Sequence, residues 1–266
     1  MKTIQPSESW PALWKECYEY DRQEIFGQVY NFGYSYGYWC SQKHIFDAFN
    51  QFVPLGATVL DVAAAQGNYS LLLAEKGYQV VWNDIRENLV EYVKMKYATG
   101  KIDFVTGNVF KCNFPGKFDA ILCSEIVEHV AHPDQFIKHI SELLRPGGVL
   151  VLATPSGEYF RNSHPRFSDY ADPSDLESRQ FMPNSDGHLF LLYEDEIRRF
   201  FSESGLKIRR LEFFLNPLTN GWIKTEKILR ILPKKVVDFI ESFTAKHGGR
   251  FFKKLNNHVI VVAEKT

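Results

Sequence analysis

Between residue 57 and about residue 215, short apolar runs alternate with longer amphipathic ones, and no other feature limits the fold as tightly. ATVLDVA (Ala57 to Ala63) has the pattern of a buried strand, and NYSLLLAEKG (Asn68 to Gly77) that of a helix with its stop glycine. YQVVWND, IDFVTGN, KFDAILCS and GVLVLATP repeat the strand pattern. Between them lie IRENLVEYVKMKYATG, a helix ending at Gly100, and a helix from Pro133 to Arg145 closed by Pro146, Gly147 and Gly148. LYEDEIRRFFSESG predicts another helix, LKIRRLEFFL a sixth strand and HVIVVAEK a closing one. Such alternation implies βαβ units, and therefore a mostly parallel sheet covered by helices on both faces.

Residues 8–52 read as helical with a glycine-containing interruption, and 156–187 and 217–256 escape the alternation. The expected organisation is an N-terminal helical and aromatic cap (1–55), a core (56–216), a basic amphipathic helical insertion (217–256) and a final core strand (257–266). The run YNFGYSYGYW (Tyr30 to Trp39) reads either as packing onto the domain or as an aromatic wall over a ligand. In 217–256 nine Lys and Arg face three acids, interleaved with apolar residues around Pro233. That pattern fits two amphipathic helices with solvated lysines, or a basic face meeting an anionic substrate or membrane surface.

Composition narrows the function classes. A chain of 266 residues with 45% hydrophobic content can bury one large core. A formal net charge of −1 gives no global attraction for nucleic acid, so no nucleic-acid partner is expected. No apolar run approaches the roughly 18 residues that span a bilayer. The N-terminus carries no apolar signal segment, and Cys17, Cys40, Cys112 and Cys123 form no CxxC pair, so a cytoplasmic protein is expected.

VLDVAAAQGNYS falls where the first strand turns into the first helix, the crevice in which doubly wound sheets bind ligands. Ala63 and Ala65 stand where a pyrophosphate would need glycine, and Asp61 would repel a phosphate. S-adenosylmethionine carries an ammonium and a sulfonium and no phosphate, so an acidic, close-approach loop suits it; Gly67 then lets the helix start pack tightly against the ligand. Asp84, ending the second strand, can accept both ribose hydroxyls.

With these motifs in place the chain resembles the class I S-adenosylmethionine-dependent methyltransferases. It is similar in particular to the ubiquinone-pathway O-methyltransferases and the methyltransferase type 11 group around them. The resemblance covers about residues 56–213 and rests on VLDVAAAQG, Asp84, FDAILCSEIVEHVAHP, LLRPGGVLVLATPSG and GHLFLLYEDEIRRFFSESGL. It implies a Rossmann-like, doubly wound, seven-stranded sheet whose last strand runs antiparallel beside the sixth. It implies S-adenosylmethionine as cofactor, Asn108 and Val109 near the adenine, and Cys123, Ser124 and Glu125 along the methionine side. The alanines at 63 and 65 depart from the family's usual glycines.

Glu125, Glu128 and His129 would share one side of a helical turn, and the resemblance makes them a candidate divalent-metal set, the lesser alternative to a metal-free site. His188, His129 and Glu128 are the candidate catalytic groups, with His164 behind them. The leading expectation is methyl transfer to a hydroxyl of a small metabolite, saccharide or lipid-linked intermediate. N-methylation of a small amine and a catalytically inactive binding protein of the same fold are the alternatives.

Overall fold

The structure, a computed structural model, describes residues 1–30, 32–180, 187–216, 231–246 and 249–266. Seven strands, β1 (Thr58–Val62), β2 (Gln79–Asp84), β3 (Lys101–Thr106), β4 (Phe118–Ser124), β5 (Leu144–Pro155), β6 (Leu206–Phe214) and β7 (His258–Lys265), form one sheet in the order β3-β2-β1-β4-β5-β7-β6. β1 pairs in parallel with both β2 and β4, and β4 with β5. β7 inserts antiparallel between β5 and β6, as the resemblance implied. The strand order reverses between β1 and β4, which opens a crevice at the carboxyl ends of those strands.

Alternation along each strand sends side chains to two cores. Leu60, Ile121, Leu150, Leu152 and Val261 meet Phe136, Ile137 and Ile140 of α5 (Pro133–Leu143) and Phe200 and Phe201 of α6 (Glu194–Glu203). The intervening Val59, Ala120, Leu122, Val151 and Ile260 face the other way, onto Ile45 and Phe49 of α2 (Phe32–Phe52), Leu73 of α3 (Asn68–Glu75) and Val237 of α7 (Lys234–Lys246). A third cluster docks α1 (Ala12–Glu24) against α4 (Val90–Lys96), with Trp10 and Trp14 packed on Tyr92. The N-terminal helices thus share the burial of the sheet.

Some boundaries differ from the sequence reading. The helix expected from Ile85 to Gly100 opens as a 3-10 turn, Glu87–Leu89, and α4 stops at Lys96. α5 stops at Leu143 because β5 already begins at Leu144, which pairs with Phe118. The first of the two helices expected around Pro233 lies outside the described residues; the second is α7, followed by α8 (Arg250–Leu255). The excursion from 156 to 187 contains two 3-10 turns, Phe167–Asp169 and Pro173–Arg179. No helix among the described residues is long and apolar enough to cross a membrane.

Candidate active site

A cavity of about 1130 Å³ opens at the crevice between β1 and β4. Among the described residues, four non-glycine residues have positive φ: Ala63 (55°), Ala65 (48°), Glu125 (54°) and Leu215 (67°). All four line this cavity. Left-handed backbone costs an L-residue about 1–2 kcal/mol, and such outliers concentrate where a ligand site dictates the chain path.

The β1–α3 turn is held from below by carboxylates. Ala65 N–H donates to Asp84 Oδ2 at 2.8 Å, and Asp84 Oδ1 accepts from Arg86 N–H at 2.9 Å. The Arg86 guanidinium forks onto the same carboxylate, Nε to Oδ1 at 2.9 Å and an Nη to Oδ2 at 3.0 Å. Asp61 accepts from Ser70 Oγ at 2.5 Å. Burial pushes the Asp61 carboxyl up to about 7, against the Ser70 hydrogen bond and with help from the charge of Asp84. Asn108 and Val109 line the same end, and the Asn108 amide oxygen accepts from Phe110 N–H at 3.0 Å.

Two residues expected at the cofactor are placed elsewhere. A Cβ on Gly67 (φ 73°) would lie 2.8 Å from Val93 Cγ1, so this glycine lets the start of α3 pack on α4 and faces away from the cavity. Cys123 points from β4 into the α5–α6 core, and burial pushes its thiol well up. Strand alternation sends Ser124, its neighbour, to the cavity, and Glu125 reaches it because a positive φ ends the strand there.

The rest of the cavity wall is aromatic and histidine-bearing. Tyr34 and Tyr38 of α2 line it with Tyr69, which stacks on Tyr38 at 5.5 Å, so the N-terminal aromatic run walls the cavity. His129, Leu215, Asn257 and His258 also line it. His258 was not readable as a site residue, because it heads an apolar strand and arrives beside Glu125 only through sheet register. Its Nε2 lies 3.5 Å from Glu125 Oε2.

The expected grouping of Glu125, Glu128 and His129 does not form. A positive φ ends β4 at Glu125, and only Val127–His129 forms a turn, of 3-10 type, so Glu125 swings toward His258. Glu128 meets His129 and His188 instead, with ligand atoms of all three within 4.8 Å of one another. Glu128 is fully buried, its Oε2 accepting from Thr154 Oγ1 at 2.9 Å and its Oε1 having no hydrogen bond among the described residues. Burial, with the charge of Glu125, pushes its carboxyl well above the ordinary range. This trio fits one divalent ion, and a carboxylate with two imidazoles suits a transition metal. Of the three candidate catalytic groups only His129 lines the cavity; Glu128 and His188 stand behind it.

A doubly wound sheet with acids and αL alanines at its switch point, and no phosphate-cradling glycines, defines a nucleoside-binding transferase of the methyltransferase type. Residues 37–211 match the family model described as a methyltransferase domain, and the chain belongs to that family, the class I S-adenosylmethionine-dependent methyltransferases. It is similar to the ubiquinone biosynthesis O-methyltransferase of Xanthomonas campestris pv. campestris (strain B100), 31% identical over 141 residues. The match takes in 46% of this chain and spans 59% of that relative's length. In fold it is similar to an S-adenosylmethionine dependent methyltransferase from Mesorhizobium loti, with TM-score 0.56 at 15% identity over 83% of this chain and 97% of that one. It is also similar to the magnesium protoporphyrin IX methyltransferase of Synechocystis PCC 6803 with bound SAH, with TM-score 0.54 at 16% identity over 94% and 100% of the two chains.

Proposed function

We propose that this protein transfers the methyl group of S-adenosylmethionine to a hydroxyl of a small metabolite, saccharide or lipid-linked intermediate. One observation carries the reading: a single cavity is lined both by the strand-end acids Asp61 and Asp84 and by tyrosines and His129. The likeness to a ubiquinone biosynthesis O-methyltransferase supports oxygen over nitrogen as the acceptor atom. The cofactor supplies a methyl carbon on a sulfonium, open to in-line attack. Asp84 and Asn108 hold the adenosine, and Asp61 and Ser124 face the methionine end. Tyr34, Tyr38 and Tyr69 exclude water, and His129 takes the proton of the acceptor hydroxyl as its oxygen bonds to carbon. The exposed Lys234, Lys235 and Lys254, beside exposed Phe239 and Phe251, favour an anionic or lipid-linked acceptor. Incubation with methyl-labelled cofactor and fractionated metabolites tests the proposal. Label in a base-stable methyl ether supports it, and label on an amine turns it to N-methylation.

Replacing His129 by Gln is expected to lower kcat by about 10²-fold, the usual worth of a placed base, with cofactor affinity unchanged. A metal held by Glu128, His129 and His188 would instead act as a Lewis acid on the acceptor oxygen. Chelator separates the two: wild-type activity that survives it assigns His129 to proton transfer, and activity lost and restored by a divalent ion assigns it to metal binding.

Asp61 gives the site a pH signature. With its carboxyl near 7, it is protonated in acid and ionised above neutrality. Folding therefore loses stability as pH rises from the ordinary carboxylate range toward 7, because only the unfolded chain releases that proton. A cationic ligand prefers the ionised form, so cofactor affinity is expected to rise between pH 6 and 8, a range set by the value of about 7. Asp61→Asn should flatten that rise; a wild-type profile already flat would contradict the role given to Asp61.

A further inference from the structure

Helix α1 lies outside the stretch matched by the family model, yet it delivers a carboxylate to the cavity. Glu24, its last residue, is 6% exposed and forms part of the cavity wall. Tyr34 Oη donates to its Oε1 at 2.5 Å, while Asn68 Nδ2 and Gln66 Nε2 donate to Oε2 at 2.8 and 3.1 Å. These donors are all neutral. Among the described residues no cation ion-pairs with Glu24, although Arg86 pairs with Asp84 and His258 lies beside Glu125.

A buried network fixes Glu24 in place. Asn68 donates one amide hydrogen to Glu24 and the other to Asp21 Oδ1 at 2.8 Å, and its carbonyl accepts from Lys96 Nζ at 2.6 Å. Lys96 also donates to Asp21 Oδ2 at 2.7 Å, where Tyr92 Oη donates at 2.6 Å. Asp21 and Lys96 are both inaccessible to solvent. Both amide hydrogens and the carbonyl oxygen of Asn68 are therefore engaged, and its orientation is set.

Asp61, another buried carboxylate of the cavity, is likewise held by a neutral partner, the Ser70 hydroxyl. Glu24 and Asp61 both act on Tyr69, whose phenol is pushed up by burial and then by the charges of Glu24, Glu125 and Asp61. Two buried carboxylates beside a cavity, with hydrogen bonds but no direct ion pair, and with only the charge of Lys96 acting on Glu24 from beyond Asn68, are costly unless a ligand brings the charge. We propose that Glu24, together with Asp61, receives the α-ammonium of the cofactor's methionine end, and that Asp21, Asn68 and Lys96 are positioning residues for it. The proposal rests on the cavity being the cofactor site. It makes α1 part of the binding site.

Ligands that differ only at the amino-acid end test this. S-adenosylhomocysteine carries the ammonium, whereas 5′-methylthioadenosine keeps the adenosine and thioether without it. By calorimetry, Glu24→Gln is expected to weaken S-adenosylhomocysteine binding about tenfold and to leave 5′-methylthioadenosine within about twofold of wild type. Unchanged affinity for the first ligand, or equal weakening of both, would overturn the assignment. Should Glu24→Gln fail to fold, the wild type decides: the desamino analogue of S-adenosylhomocysteine should bind about tenfold more weakly than its parent, and equal affinity would overturn the proposal. A wild type that binds none of these ligands contradicts the cofactor reading itself, an outcome distinct from a wild type that binds them without regard to the ammonium.

Discussion

Asp84→Ala is expected to weaken S-adenosylhomocysteine binding by 10²- to 10³-fold, about 3–4 kcal/mol for two hydrogen bonds to a charged acceptor. Two contributions add. The ribose hydroxyls lose their acceptor, and the β1–α3 turn loses the bond from Ala65 N–H that holds an alanine at positive φ. The guanidinium of Arg86 already forks onto both oxygens, so the ribose must take over positions that Arg86 holds. Arg86 is 42% exposed in its side chain and can swing into solvent. Arg86→Ala should therefore bind the ligand at least as tightly as wild type. Weakening in Arg86→Ala equal to that in Asp84→Ala would assign Asp84 to structure alone.

Lys96→Met should lower folding stability by about 3–5 kcal/mol, the cost of leaving a buried charge without its partner. Asp21 would keep its Tyr92 and Asn68 hydrogen bonds but lose the cation that justifies its burial. Burial alone lowers the Lys96 ammonium below its usual range, opposed by Asp21, so the pair survives through proximity. Replacing both partners, Asp21→Asn with Lys96→Met, should recover much of the loss, since two neutral groups carry no such penalty. Equilibrium urea denaturation measures it, and a single-variant loss under about 1 kcal/mol would show the pair to be dispensable.

The sheet was legible because each strand carries its own pattern: Val59, Leu60 and Val62 announce burial on both faces without reference to any distant residue. Asp61 and Asp84 were legible at the same level, since an acid at a strand end is a local feature; Asn108 and Val109 came only with the family resemblance, and all four line the cavity. The acceptor end was read less well. Glu125 departs from the helical spacing assumed for it because one positive φ redirects a single side chain, and nothing in SEIVEHV marks that residue as left-handed. Gly67 signalled a close approach correctly, but the close neighbour is Val93, a residue supplied by another helix. Glu24 and His258 carry no local signal. One reaches the cavity by the docking of α1, the other by the pairing of β7 with β5, where His258 lies opposite Pro155. Local chemistry was readable; convergence from distant chain positions was not.

A crystal structure of the protein grown with S-adenosylhomocysteine tests the central claim most directly. The account predicts ribose hydroxyls on Asp84, the base beside Asn108 and Val109, and the thioether sulfur turned toward Glu125 and the tyrosine-lined wall. Adenosine density bound elsewhere, or a phosphate-bearing nucleotide preferred in the same crevice, would contradict it.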